Sequence, residues 1–141
     1  MPAGYVISQS IALHKGRVYD PSLWIQRQSS PIHFFWGSFD LSLAFYYGKK
    51  APRHLGKMVG MPDWVLQDAY SHEVLDAGLW TGNSSLPEDA FYSYLYPESN
   101  GYKSAEIASQ EAYYNHELGE FILTYADVQK ASHPKAKLLD F

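Results

Sequence analysis

Two residues stand out as groups that could move a proton or hold a ligand: Asp40 and His72. Asp40 lies among Phe39, Leu41 and Leu43, and a carboxylate in apolar company needs a partner, because burying an unpaired charge is expensive. It is a candidate general base, metal ligand or acceptor for a bound molecule, or else a structural acceptor for Tyr, Trp or backbone N–H groups. Histidine is a common proton carrier and metal ligand, so if His72 shares a face with Asp40 the two form a pair of the acid/base or metal-binding type. The alternative is a histidine hydrogen-bonded within a sheet. His72 and Glu73, as neighbours on a strand, point to opposite faces and cannot serve one pocket. Around the two candidates the sequence offers Trp36, Ser38, Tyr70, Trp80, Tyr92 and Tyr94. Rings and hydroxyls of this kind stack on and orient a planar ligand, or fill a core with their polar tips at its rim.

Other patterns carry less. His116-Glu117-x-x-Glu120 lacks the second histidine of a zinc motif and has Gly119 where a helix would be required, so a turn is expected there. Gly37-Ser38-Phe39-Asp40 lacks the second glycine of a nucleophile elbow. Lys49, Lys50, Arg53 and Lys57 form a cationic run that reads either as a lid over an anion or as a solvated loop. No phosphate-loop pattern accompanies it. His14, His33, His54 and His133 are isolated and receive no role.

The elements that must position these groups are mostly extended. Taken as one strand, residues 31–47 divide by alternation into two faces. Phe35, Phe39, Leu41, Leu43 and Phe45 fall on one side with His33 and Gly37; Phe34, Trp36, Ser38, Asp40, Ser42, Ala44 and Tyr46 fall on the other. The second set, aromatic rings interleaved with small hydroxyls and one carboxylate, suits a pocket better than a solvent face. Residues 70–80 repeat the pattern, with Tyr70, His72, Val74, Asp76, Gly78 and Trp80 opposite a more apolar side. In residues 90–96, Tyr92, Tyr94 and Tyr96 oppose Phe91, Ser93 and Leu95. A hairpin through Asn115-His116-Glu117-Leu118-Gly119 leads from Tyr113-Tyr114 into a strand E-F-I-L-T-Y (120–125) that hands over to a helix near Tyr125. Asp63 opens a short helix after Pro62, and Thr124 with Asp127 makes a capping signal for another. His133-Pro134 breaks that helix, and a last one is expected within residues 135–141. Residues 48–61 read as a loop. At the N-terminus, Tyr5 to Leu13 reads as a strand, Lys15-Gly16 as a turn and Asp20 as a helix start.

Composition sets bounds on the function. A chain of 141 residues has room for one core, and the absence of cysteine excludes disulfides, a thiol nucleophile and cysteine-ligated metal centres. With 11 Lys and Arg against 15 Asp and Glu, the net charge of −4 argues against a nucleic-acid partner. No run of about 18 apolar residues exists to span a membrane, and the start of the chain lacks a signal-peptide pattern. A cytoplasmic protein is expected, in which the Asn83-Ser84-Ser85 sequon is chance. The excess of 12 Tyr, 7 Phe and 4 Trp favours strand-rich folds with half-wet cavities or interfaces.

The strings P-I-H-F-F-W-G-S-F-D-L (31–41), A-Y-S-H-E-V with A-G-L-W (69–74, 77–80), A-F-Y-S-Y-L-Y-P-E (90–98) and L-G-E-F-I-L-T-Y (118–125) carry a family resemblance. The chain from about residue 30 to its end resembles the C-terminal half of the bacterial family catalogued as domain of unknown function 5996. The resemblance implies no activity, cofactor or catalytic residue. It implies longer relatives, with a strand-rich half before this region and a C-terminal helix that runs further. Residues 1–30 do not look like that half, so a fragment, a shortened relative or a homodimer that completes its sheet is expected.

The expected architecture is α+β: a curved, mainly antiparallel sheet of about four strands, open or part-closed as a partial barrel, with short helices of which the last is C-terminal. Residues 31–141 would form one domain after an N-terminal segment of residues 1–30. Three functions compete. The first is a small-molecule-binding domain, enzymatic or not, using Trp36, Ser38, Asp40, Tyr70, His72, Tyr92 and Tyr94. The second is a non-catalytic structural or protein-interaction module. The third is a metal-dependent hydrolase using His72, Asp40 and a further ligand, although no metal site or cofactor is assigned. Convergence of Asp40 and His72 on one cavity favours the first; their separation favours the second.

Overall fold

The computed structural model describes residues 28–58 and 60–141. The strand, turn and helix start expected before residue 28 lie outside the described residues. Seven strands form one antiparallel sheet: β1 (Gln28–Ser29), β2 (His33–Phe35), β3 (Asp40–Lys50), β4 (His72–Trp80), β5 (Ala90–Tyr96), β6 (Tyr113–Asn115) and β7 (Glu120–Thr124). Their order is β1-β3-β4-β5-β7-β6, with β2 also paired to β3, so the sheet has two ends and does not close into a barrel. Among the described residues three short α-helices complete an α+β fold: α1 (Asp63–Ala69), α2 (Tyr125–Lys130) and α3 (Pro134–Leu139). The strands beyond the expected four are pieces of two or three residues at the margins, too short to show a period.

The main departure from the sequence reading lies in residues 31–47, which are a hairpin and not one strand. Trp36 to Phe39 form its loop; the Ser38 N–H donates to the Phe35 carbonyl at 3.2 Å and Phe39 takes a left-handed φ of 52°. The register then sets Phe35 opposite Asp40 and His33 opposite Ser42. Odd positions of β2 therefore share a face with even positions of β3, and the alternation changes phase across the turn. His33 and Phe35 stand on the side of Asp40, whereas Phe34 stands on the side of Leu41. Ser30 mends the ladder ahead of Pro31, which has no N–H to give: its own N–H donates to the Ala44 carbonyl at 2.8 Å and its Oγ accepts from the Ala44 N–H at 3.0 Å.

From β3 onward the alternation is as read, except that the strand expected over residues 70–80 begins at His72 and Tyr70 instead closes α1 as its C-cap. Asp40, Ser42, Ala44 and Tyr46 lie opposite Trp80, Gly78, Asp76 and Val74. These continue into Ala90, Tyr92, Tyr94 and Tyr96, and Ala90 and Tyr92 into Thr124 and Ile122. We call this the tyrosine face. The reverse, leucine face carries Leu41, Leu43 and Phe45 of β3, Leu75, Ala77 and Leu79 of β4, Phe91, Ser93 and Leu95 of β5, and Phe121 and Leu123 of β7. Beyond Tyr46 the ladder is irregular until Lys50 meets His72, so three residues of β3 face one of β4, a bulge that bends the strand end.

Both faces are covered. On the tyrosine face, Leu86 of the β4–β5 loop packs with Ala90, Tyr92 and Ile122, and Trp80, Tyr94 and Leu118 adjoin them. Asn83 shapes that loop, its Oδ1 accepting from the Ser85 N–H at 2.7 Å and the Leu86 N–H at 3.1 Å. On the leucine face, the Tyr125 ring at the start of α2 meets Phe91, and Tyr102 of the β5–β6 segment packs edge-on to Phe121 at 5.1 Å. The expected cap is present: Thr124 Oγ1 accepts from the Asp127 N–H at 3.1 Å. Residues 116–119 form the expected turn, with Asn115 Oδ1 accepting from the Glu117 and Leu118 N–H groups at 2.9 and 3.1 Å.

Candidate functional site

The groups able to do chemistry meet on the tyrosine face as a chain of oxygen atoms. Ser42 of β3 donates from Oγ to the Asp76 carboxylate of β4, 2.9 and 3.0 Å from its two oxygens. The Tyr92 phenol of β5 lies 3.2 Å from Asp76 Oδ1 and 2.9 Å from Asp40 Oδ1. One phenolic proton thus serves two carboxylates. Three neighbouring strands build the arrangement, since the register brings Ser42, Gly78 and Tyr92 into one row with Asp40 and Asp76 one step to either side. Gly78 is what lets the Tyr92 ring cross β4. A β-carbon there would fall 2.6 Å from the phenolic oxygen and 2.0 Å from the Leu41 carbonyl oxygen.

The inner part of this chain is dry and its outer end is open. Ser42, Tyr92 and Asp76 are 5, 6 and 9% exposed, respectively, whereas Asp40 is partly exposed at the strand end. Burial raises Asp40 above the usual carboxylate range, only partly offset by the Tyr92 hydrogen bond. Burial likewise raises Asp76; Ser42 and Tyr92 pull it back, and the charge of Asp40 pushes it up again. A third carboxylate, Glu120 of β7, is pushed up to about 7 by burial and then by the charges of Asp40 and Asp76. Burial and the same two aspartates drive the Tyr92 phenol far above its ordinary value, so it acts as a donor and not as a phenolate. When either aspartate takes up a proton, it can donate to the phenolic oxygen while the phenol donates to the other. Asp40 and Asp76 therefore titrate as a coupled pair, with a path for a proton from the buried carboxylate to the exposed one.

A second cluster borders the first. The Tyr70 and Tyr94 hydroxyls are 2.9 Å apart, and His54 stacks on Tyr70 at 4.9 Å and leans on Tyr96 at 5.3 Å. Tyr92 and Tyr94 are stacked at 6.1 Å, so a continuous aromatic strip joins the two groups.

A family model described as "Family of unknown function (DUF5996)" matches residues 24–141. The chain belongs to the DUF5996 family. No curated protein and no solved structure matches it.

Of the residues singled out from the sequence of this DUF5996 chain, Asp40, Tyr70, Tyr92 and Tyr94 are brought together. Trp36 and Ser38 are not: both sit in the exposed β2–β3 loop, Trp36 at 75% exposure. His72 stands at the far end of the ladder. It pairs with Lys50, whereas Asp40 pairs with Trp80 eight residues away along β4, a distance of roughly 25 Å. No His72–Asp40 pair forms; His72 Nδ1 instead lies 3.1 Å from the neighbouring Ser71 Oγ. A hydrolase built on those two ligands therefore loses its basis, and their separation counts for the interaction module and against a pocket built on that pair. Among the described residues no group of three or more His, Asp or Glu side chains could hold a metal ion. The cationic run is exposed at Lys49, Lys50, Arg53 and Lys57, with Arg53 bonded to Gln67 at 2.9 Å. Among the described residues no helix is long and apolar enough to cross a membrane.

Sequence reasoning passed over Asp76 and Glu120. The signal for Asp76 was available, because a carboxylate between Val74-Leu75 and Ala77 raises the same need for a partner that singled out Asp40. Glu120 offered less, since a glutamate after a turn glycine usually marks only the start of a strand.

Proposed function

We propose that this DUF5996 chain is a small-molecule-binding domain, cytoplasmic by composition, whose ligand is held at the exposed side of Asp40, a carboxylate that the buried Tyr92 phenol positions, with Asp76 taking the place that His72 would have had. The observation that carries this reading is that Asp40, Asp76 and Glu120 share one aromatic face and are all raised above their ordinary pKa, with no cation among the described residues pulling them back. Perturbed carboxylates gathered in this way are costly to a fold and cluster where ligands or protons are handled. The chemistry suits a ligand that donates hydrogen bonds or carries positive charge, approaching through the exposed side of Asp40, with the Trp80 ring opposite it in the ladder. The test is a thermal-shift ligand screen on the wild type, repeated on Asp40→Asn and Tyr92→Phe. A ligand of this site stabilises the wild type by mass action and loses most of that effect in both variants. Hits that stabilise all three proteins equally would sink the reading.

One feature favours a second reading, an interaction module that pairs with another copy of the chain. Phe34, Trp36 and Phe39 pack edge to face at 4.9, 5.8 and 6.2 Å on the β2–β3 hairpin while remaining 41, 75 and 56% exposed, respectively. Light scattering of the wild type and of Trp36→Ser decides it: a dimer that dissociates in the variant supports this reading, and a monomeric wild type ends it.

A further inference from the structure

On the leucine face, opposite the carboxylate chain, lies a cavity of about 150 Å³. Its walls come from the bulged end of β3, from β4 and β5, from the segment after β5, and from Phe121 and Phe141. The β5 residue of its floor with the smallest side chain is Ser93, between the larger Leu75, Leu95 and Phe121. The roof is held up by Tyr102, whose hydroxyl donates to the Ser93 carbonyl at 2.9 Å. The lining is largely apolar, with Leu75, Leu95, Ile107 and Phe121 at its body. A volume of this size is about that which accepts a benzene ring in an apolar core.

Two features of the lining are not those of an empty packing defect. Ser99 Oγ is buried and has no hydrogen-bond partner in the protein, where buried polar groups are ordinarily paired. Among the described residues the charged side chains of the lining are all acidic, Glu73, Glu98 and Glu106. Glu98 is engaged, accepting from the Tyr114 hydroxyl at 2.6 Å and lying 3.6 Å from Lys103 Nζ. Glu73 and Glu106 make no hydrogen bond or ion pair with the protein. An apolar body that accepts one ring, an unpaired hydroxyl and two unengaged carboxylates match the chemistry of an amphiphilic amine.

We propose that this cavity is a binding site for a small organic cation, a ring-sized apolar body carrying an ammonium group. The body lies among Leu75, Leu95, Ile107 and Phe121, and the ammonium meets Glu73 or Glu106. The site is separate from the Asp40–Tyr92 chain, since the sheet lies between them.

The test is a chemical-shift titration of the 15N-labelled full chain with benzylamine, benzyl alcohol and benzoate as probes. Benzylamine should bind roughly tenfold more tightly than benzyl alcohol, the scale of one favourable charge contact, and benzoate should not bind. The shifts should centre on the amides of residues 93–107 and 121 and leave 40–42 unmoved. The double variant Glu73→Gln with Glu106→Gln should bring benzylamine down to the level of benzyl alcohol. Filling the space with Ser93→Leu should abolish binding of both, and if that variant fails to fold, Ile107→Trp at the cavity roof makes the same test. Absence of benzylamine binding, equal binding of benzoate, or shifts centred on Asp40 would each overturn the proposal.

Discussion

The two faces of the sheet solve burial in opposite ways. The tyrosine face is filled by its rings, and its difficulty is electrostatic: Asp76 at 9% exposure and Asp40 beside it, each with a hydroxyl donor, and Glu120 raised in the same field. The leucine face is electrostatically simple in its sheet layer and under-filled, leaving a cavity beneath the β5–β6 segment. Space and charge therefore occur on different sides of one layer of backbone. The contrast shows why a face rich in tyrosine need not be the hollow one. Rings long enough to cross a strand, as Tyr92 crosses Gly78, fill the room they seemed to line.

Each face can be pushed until the contrast fails. The largest effect is expected from Gly78→Ala, which drives a methyl group into the Leu41 carbonyl and the Tyr92 phenol. Loss of about 3–4 kcal/mol of unfolding free energy, read from urea melts, is the scale for overpacking against backbone. A variant within about 1 kcal/mol of wild type would mean that Tyr92 does not lie across β4.

Next comes pH. The Glu120 pKa is raised in the folded state from 4.5 to about 7, so the folded chain holds a proton that the unfolded chain releases. This stabilising contribution is complete below about pH 4.5 and is lost as pH rises through about 7. The raised aspartates act in the same direction. Stability should fall by about 2–3 kcal/mol between pH 5 and pH 8.5, and Glu120→Gln should flatten most of that slope while raising stability at pH 8.5. A wild type whose denaturation midpoint is level over this range would refute the electrostatic account of the tyrosine face.

Tyr92→Phe comes third. It keeps the ring and removes the donor shared by Asp40 and Asp76, at a cost of about 1–2 kcal/mol at pH 7. The loss should shrink as pH falls and the raised aspartates take up protons, which removes the charge the phenol serves; a loss that does not change with pH would assign the effect to ring packing. Smallest is Trp36→Ser on the exposed loop, expected to change monomer stability by less than about 0.5 kcal/mol. A larger loss at high protein concentration alone would reveal an association surface there.

Local sequence was enough for the parts of the fold ruled by a period or a cap. The existence of strands β4, β5 and β7, though not every end of them, the hairpin closed by Asn115 and Gly119, and the helix capped by Thr124 all follow from alternation or from single side chains bonding adjacent backbone. The same logic put Asp40, Tyr92 and Tyr94 on one face, because alternation along a strand is a local property.

What only the tertiary structure decided depends on register between strands. Alternation says which side a residue faces and nothing about how far along the ladder it lies, so His72 could be matched with Asp40 although eight residues separate its place from that of Trp80. The break at Trp36 to Phe39 was hidden because Phe and Trp read as strand formers, and the turn there depends on Phe39 adopting a left-handed backbone that its side chain does not advertise. The Asp40–Tyr92–Asp76 contact and the cavity behind it arise where three strands and a returning loop meet at fixed offsets. Those offsets are set by pairing and packing across the whole sheet, and no single segment encodes them.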